Sequence, residues 1–348
     1  MIELSLAKKK DQARWDAYVL RHPDATPYHL FPWKKAVSLA YGHRCYYLLA
    51  EINGDVVGLL PLVHIKLFNF VNELVALPFC DVGSCLSEDS EIQDLLLLEA
   101  IRLKQKIVAR KLSIRGSLQS TSLTTKAFTQ FETNKVRMLL KLPPSSEELF
   151  AGFRSKLRSQ IRKAVKNGIT FRWGDLWEVD DFYTVFARNM HDLGSPVHSR
   201  KWLQDILRYY KNRARVGLVE FGNKIVGMGV ILSTDKIVSI PWASTLREFN
   251  HLGPNMLLYW NFLKYSADNG YVIFDFGRSS EGEGTYKFKK QWGGQPEPLE
   301  WYFYGAGRFE NNERKQLLKK DLIIEAWRKI PLGLANSFGP HLRRYISL

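Results

Sequence analysis

The densest chemistry in the chain lies between residues 274 and 298. It reads Phe274-Asp275-Phe276-Gly277-Arg278-Ser279-Ser280, then Gly284-Thr285-Tyr286-Lys287-Phe288-Lys289-Lys290-Gln291-Trp292-Gly293-Gly294, with Pro296 and Pro298 beyond. Cations and aromatic rings crowd among glycines just past the apolar run 271–276, which is predicted to be a strand. Ligands of open α/β sheets bind at the carboxyl ends of strands. Arg278 suits a phosphate, and Lys289 suits the negative charge that develops on a carbonyl oxygen under attack. Tyr286, Phe288 and Trp292 suit a base or a sugar, and equally the closing of a core.

A second basic group occupies 145–168. Ser145 or Ser146 can cap a helix, and Glu147 and Glu148 suit its first turn. Phe150, Phe153, Leu157, Ile161 and Ala164 form an apolar stripe at helical spacing, and Asn167-Gly168 suits a left-handed end. Arg154, Arg158, Arg162 and Lys166 lie four apart, with Lys156 and Lys163 beside them and no acid between Glu148 and Asp175. Like charges so spaced repel by a few tenths of a kcal/mol per pair. The pattern predicts a helix over 146–167 whose Arg158 and Arg162 face an anion; a solvated basic face is the plainer alternative. The P-loop, the dinucleotide fingerprint, the nucleophile elbow, HExxH and CxxC are all missing. Cys45, Cys80 and Cys85 lack the spacing of a zinc site and are expected to be buried thiols, with no metal. His191-Asp192 is read as structural.

The elements that must position these groups occur twice. Pro27, His29, Trp33, Tyr41, Arg44, Glu51, Val57 and Gly58 are matched without a gap by Pro196, His198, Trp202, Tyr210, Arg213, Glu220, Val226 and Gly227. Copy one is predicted as helix 32–40, strands 46–52 and 56–65 around Asn53-Gly54, strand 74–79, helix 92–110 and strand 112–115. Copy two is predicted as helix 201–211, strands 216–221, 225–232 and 237–243, helix 255–269 and strand 271–276. Both third strands hold a proline before an aromatic, Leu77-Pro78-Phe79 and Ile240-Pro241-Trp242. Proline cannot donate to a ladder, so each strand is expected to bulge or to part from its neighbour. A parted pair beside Trp242 would open a slot for an acyl or amide group. A duplicated unit also implies a cleft between two similar domains. In order of elements each copy resembles the GNAT acyltransferase core, an α/β fold.

The domains are expected at 1–143, at 144–305 beginning with the basic helix, and in a helical basic tail at 306–348. Net charge is +15 over 348 residues. Residues 1–140 hold 18 Lys and Arg against 14 Asp and Glu, and the remainder 32 against 21, so the excess sits in copy two and the tail. A basic field attracts RNA, nucleotide phosphates or anionic lipid. No apolar run nears the ~20 residues of a membrane span, and no secretory apolar region follows Lys8–Lys10. The chain is expected in the cytoplasm. The tail mixes Trp327, Leu332, Leu334, Phe338, Leu342, Tyr345 and Ile346 with Arg328, Lys329, Arg343 and Arg344, following a helix over 311–330. Packing on the parent domains is favoured; peripheral contact at the inner membrane face is the alternative.

Phe-Asp-Phe-Gly-Arg-Ser (274–279) followed by Gly-Thr-Tyr-Lys-Phe-Lys-Lys-Gln-Trp-Gly (284–293) resembles the C-terminal signature of FemAB-related transferases, nearest the subgroup associated with exosortase and exopolysaccharide systems. Ser155–Gly168 resembles that family's inter-domain helix, Leu77-Pro-Phe-Cys-Asp-Val-Gly-Ser its first-domain loop, and Trp327-Arg-Lys-Ile-Pro-Leu with Gly339-Pro340 the subgroup's tail. The resemblance implies two tandem GNAT-like domains and transfer of an amino acid from aminoacyl-tRNA to an amine of a peptidoglycan-type precursor. It implies that Phe288-Lys289 is the family's Phe-Lys pair at the reaction centre, and that Asp81 is its acidic first-domain residue. The family's long coiled-coil arm has no counterpart here.

The expected activity is therefore N-acyl or aminoacyl transfer to a cell-envelope or exopolysaccharide precursor. Lys289, Phe288 and Asp81 are the catalytic candidates. Arg278, Trp242, Tyr286, Asn255, Arg158 and Arg162 are the donor- and substrate-binding candidates. The donor is a co-substrate, aminoacyl-tRNA or acyl-CoA, with no tightly bound cofactor. Acyl-CoA enzymes of the GNAT type hold the pyrophosphate on an Arg/Gln-x-x-Gly-x-Gly/Ala loop at a helix N-terminus. Neither Arg247–Asn255 nor 80–91 fits that pattern, so tRNA is favoured over CoA. The alternatives are an acyl-CoA N-acetyltransferase with a divergent loop and a non-catalytic RNA- or polysaccharide-binding protein.

Overall fold

The computed structural model describes residues 1–68, 70–118, 122–131, 133–305 and 322–348. They form two compact units.

The first unit carries a seven-stranded sheet in the order β1-β2-β3-β4-β5-β14-β6. Its strands are β1 (Ile2–Leu6), β2 (Arg44–Ile52), β3 (Asp55–Leu67), β4 (Val71–Ala76), β5 (Lys111–Arg115), β6 (Thr129–Phe131) and β14 (Trp301–Tyr304). Asn53 and Gly54 both take positive φ, 51° and 86°, so β2 and β3 meet in a two-residue turn that matches strand twist. β3 pairs antiparallel with β4, and β4 pairs parallel with β5. Helix Ser90–Lys106 lays Ile92, Leu96, Leu97 and Ala100 on Leu60, Leu62 and Leu74.

The second unit carries a sheet in the order β13-β7-β12-β11-β10-β9-β8. Its strands are β7 (Lys135–Lys141), β8 (Ile169–Gly174), β9 (Ala214–Phe221), β10 (Lys224–Ser233), β11 (Ile237–Thr245), β12 (Ile273–Ser280) and β13 (Gln295–Pro298). β8 to β11 are antiparallel neighbours, and β11 and β12 are parallel. Helix Pro254–Asp268 packs Leu258, Phe262 and Leu263 into the core of this sheet.

The repeat is structural as well as sequential. In each copy the first hairpin has one extra residue at the same place: register shifts at Val57 between β2 and β3, and at Val226 between β9 and β10. The glycine that follows is held by close packing. A Cβ on Gly58 would sit 2.7 Å from Ile92, and one on Gly227 would sit 2.6 Å from Val219. Trp33 and Trp202 are both fully buried.

Three expectations differ from the structure. The first unit does not run to 143, because β7 begins at Lys135 and pairs into the second sheet, while β14 returns to the first. The third strand of copy one ends at Ala76, because Leu77 and Phe79 take φ of 48° and 69°, which no ladder accommodates. The basic helix is two helices, Ser146–Gly152 and Ser155–Lys166, broken where Phe153 and Arg154 turn to extended backbone. Ser145 caps the first, accepting from the Glu148 N–H at 3.2 Å, and Gly168 ends the second with φ 84°. Part of the expected tail helix lies outside the described residues; 322–329 are helical, followed by helix Leu332–Arg343.

Candidate functional site

The site is built where two parallel strands separate. β11 and β12 pair through Ile237↔Ile273, Val238↔Phe274 and Ser239↔Asp275, and no further. Beyond Ser239, β11 bulges at Ile240-Pro241 against β10, so Trp242 stands opposite Val230 while Ser239 stands opposite Leu232. The expected splay is present, and among the described residues it leaves the β12-facing edge of Ile240–Thr245 without a strand beside it. In the first unit β4 and β5 likewise stop pairing at Val75↔Ser113.

A buried carboxylate marks the fork. Asp275 Oδ2 accepts from Arg137 Nε at 2.9 Å and from Ser239 Oγ at 3.2 Å, and its Oδ1 accepts from the Gly277 N–H at 2.8 Å. The last bond ties down the turn at Gly277, where φ is 71°. β12 then runs to Ser280, two turns of pleat further than its apolar pattern predicts, and places Arg278 on the strand itself.

Lys289 sits opposite that strand end. Residues 284–291 form a helix, Gly284–Gln291. Lys289 faces inward, only 8% exposed, and its Nζ donates to the Arg278 carbonyl at 2.7 Å. Phe288 meets Tyr259 edge-on at 4.9 Å and Trp292 at 6.2 Å. Tyr259 also stacks on Phe276, and burial pushes its phenol well above the ordinary range. Trp292 is core; Tyr286 is half-buried, with Lys290 Nζ 5.5 Å above its ring. Lys289, Phe288, Tyr286 and Arg278 are thus brought together. Tyr259, Ser239, Asp275 and Arg137 join them in building the fork. Sequence reasoning passed these four over, because each reads as an ordinary core or strand residue until the strands are paired.

The repeat braces the bent strand in both copies. In copy two, Trp202 and His198 stack at 5.4 Å, and both rings meet Trp242, at 6.1 and 5.9 Å. Tyr183 Oη donates to the His198 carbonyl at 2.8 Å. In copy one, Trp15 Nε1 donates to the His29 carbonyl at 2.7 Å, and Trp33 Nε1 to the Pro78 carbonyl at 3.1 Å. Trp242 is therefore held by the very residues that define the duplication. Burial, with Arg343 nearby, drives the His198 imidazole well below its usual value, so it is a neutral core group.

Asn255 opens helix Pro254–Asp268, but its Nδ2 donates to Thr245 Oγ1 at 3.2 Å, tying the end of β11 to the helix start. Gly253, at φ 87°, lies against Ala164, and the Leu252 carbonyl accepts from Asn167 Nδ2 at 3.1 Å. The segment leading into this helix therefore packs beside the end of helix Ser155–Lys166.

The expected row of four cations is divided. Arg158 and Arg162 line a groove of about 710 Å³ with Phe150, Trp260 and Lys264. Arg154 falls outside the helix. With Lys156 and Gln160 it lines another groove, of about 1070 Å³, whose far wall is Lys287, Lys290 and Gln291, next to Lys289 in sequence. The break at 153–154 is the reason: it turns Arg154 away from the face that carries Arg158. Lys287, Lys290 and Lys156 are consequently better placed than Arg158 and Arg162 to meet an anion near the Lys289 helix.

In the first unit, Asp81 follows the strained Leu77–Cys80 turn. Arg115 Nη1, buried, donates to the carbonyls of Cys80 (3.0 Å), Leu77 (3.4 Å) and Ser347 (3.0 Å). The Phe79 N–H donates to the Ser347 carbonyl at 2.8 Å. The loop that carries Asp81 is fixed by these bonds. Cys80 and Cys85 are buried, and burial pushes the Cys45 thiol up to about 11. His191 Nε2 meets the Ile330 carbonyl at 2.8 Å, so that histidine anchors the tail.

Residues 151–290 match the acetyltransferase (GNAT) domain. Among solved structures the chain is similar to FemX, at 15% identity and a TM-score of 0.69 over 91% of this chain and 100% of that one. It is similar to a tandem GNAT protein from the clavulanic acid biosynthesis pathway, at 14% identity and 0.55 over 89% and 100%. It is also similar to L-PGS from Bacillus licheniformis, at 13% identity and 0.57 over 87% and 98%. No curated protein matches the chain. The fold is two tandem GNAT-like units, and the domain at 151–290 is an acyltransferase domain.

Proposed function

We propose that this acyltransferase is of the FemAB type: it moves an acyl or aminoacyl group from an activated ester or thioester to an amine of a cell-envelope or exopolysaccharide precursor, with aminoacyl-tRNA the favoured donor. The amine attacks the donor carbonyl, a C–N bond forms, and the C–O or C–S bond to the donor breaks. The proton lost by the amine leaves with the donor's hydroxyl or thiol. Such aminolysis is downhill, so the protein has chiefly to align the partners and stabilise the oxyanion.

The observation that carries this reading is the buried Lys289 ammonium, held 2.7 Å from the Arg278 carbonyl beside the fork of β11 and β12. Lys289 stabilises the oxyanion, Phe288 packs the helix that presents it, and Arg278 takes a donor phosphate. Trp242 and Tyr286 supply apolar walls, and Asn255 sets the end of β11. Arg158 and Arg162 serve the polyanionic part in the flanking groove. Asp81 remains the acidic candidate of the first unit. Replacing Lys289 with Met should lower turnover by about two orders of magnitude, as loss of an oxyanion donor does, with unchanged circular dichroism. Turnover equal to that of the parent protein removes the mechanism.

A second reading, acyl-CoA as donor, is favoured by the acetyltransferase match at 151–290. The absence of the Arg/Gln-x-x-Gly-x-Gly/Ala pattern from Arg247–Asn255 stands against it. Calorimetric titration with CoA and with charged tRNA separates the two: saturable heat with CoA alone assigns the thioester.

A further inference from the structure

Helix Leu332–Arg343 has two apolar faces. One is used: Ala335 and Gly339 are buried, and a Cβ on Gly339 would sit 3.5 Å from Trp327 and 3.3 Å from the Val197 backbone. The other is open. Leu334, Phe338 and Leu342 are 53%, 60% and 48% exposed, and their spacing of four residues aligns them along one side of the helix. Single exposed apolar side chains are ordinary on a soluble protein; a continuous row on one helix is not.

The charge around this row is one-sided. Arg328, Lys329 and Arg344 flank it in sequence, His341 lies within it, and no Asp or Glu occurs after Glu325, while Arg343 lies on the buried side near His198. A second protein surface would be expected to meet mixed charge; an apolar stripe with cations and no acid beside it in sequence complements an anionic lipid surface. The helix is also fixed to its unit, by the His191–Ile330 contact and by Arg328 Nε donating to the Asp192 carbonyl at 3.0 Å. Packing and lipid contact, rival expectations for the tail, therefore fall on opposite faces of one helix.

We propose that the Leu334/Phe338/Leu342 face seats the protein on a bilayer containing anionic phospholipid, with the three side chains at the level of the acyl chains and Arg328, Lys329 and Arg344 toward the headgroups. No helix among the described residues is long and apolar enough to cross a membrane, so this contact is peripheral. The proposal is independent of the transfer chemistry, and its test uses no donor.

The full chain is sedimented with vesicles of phosphatidylcholine alone and of equimolar phosphatidylcholine and phosphatidylglycerol. The expected result is binding to the second, weakened by salt because part of the attraction is screened. The triple variant L334S/F338S/L342S should lower the partition coefficient about tenfold or more, with an unchanged melting temperature. Should the triple variant melt early, F338S alone carries the test, with a several-fold loss expected. Absence of binding to anionic vesicles, binding undiminished in the variants, or a dimer of the parent chain that the same substitutions dissociate without any lipid binding would each overturn it.

Discussion

Asp275→Ala should be among the most damaging single changes in the second unit. The carboxylate is buried with Arg137 Nε at 2.9 Å, Ser239 Oγ at 3.2 Å and the Gly277 N–H at 2.8 Å. Removing it leaves the Arg137 guanidinium buried without its counter-charge, a change that costs about 3–5 kcal/mol. The same change frees a backbone N–H at a left-handed glycine, adding about 1 kcal/mol. Removing both charges, as R137M/D275A, eliminates the stranded cation, so the double variant should be more stable than D275A alone. Urea unfolding followed by tryptophan fluorescence measures all three proteins, since most of the tryptophans lie in the second unit. The site should respond too, because Asp275 fixes the turn from which Arg278 offers its carbonyl to Lys289. A loss below about 1 kcal/mol in D275A, or a double variant weaker than the single, would refute the view that this ion pair holds the fork.

Two further outcomes are expected. His198 is buried and neutral, with its folded value well below the ordinary 6.5. The unfolded chain therefore binds a proton that the folded chain does not, so stability is full above pH 6.5 and falls as pH drops below it. The slope approaches about 1.4 kcal/mol per pH unit for this one group, and unfolding titrations between pH 7 and 5 should show it shallower in His198→Gln; an unchanged slope contradicts the assignment. Charge reversal in the wider groove, Lys287→Glu with Lys290→Glu, should raise the donor KM about tenfold, leave kcat within a few-fold, and flatten the dependence of KM on salt. An effect confined to kcat would place these lysines elsewhere in the reaction.

Much of the fold is legible in the sequence because its signals are local. Asn53-Gly54 defines a hairpin by two positive φ values, the duplicated Gly58 and Gly227 mark close packing, and paired prolines mark the strands that bend. What escapes is non-local. Nothing near Trp301 indicates that it pairs with Arg115 and Phe131, and nothing in Phe153-Arg154 breaks helical periodicity strongly enough to announce two helices. The site divides the same way. Arg278, Phe288 and Lys289 stand out as cations and rings among glycines, but Ser239, Asp275, Arg137 and Tyr259 acquire meaning only from strand pairing. The row of four arginines and lysines was legible as a row, and misleading as a face.

The placement of β14 bears on how the chain is made. Among the described residues β5 and β6 are joined through this strand, which follows the whole second sheet in sequence, and Ser347 near the end of the chain bonds to Phe79 and Arg115. During synthesis the first unit emerges first yet waits longest, with β5 and β6 holding open edges until residues 301–304 leave the ribosome. The second unit has its strands β7 to β13 in hand before then and can fold ahead of it. Long-range closure of this kind is slow, and the waiting edges are exposed to pairing with other chains.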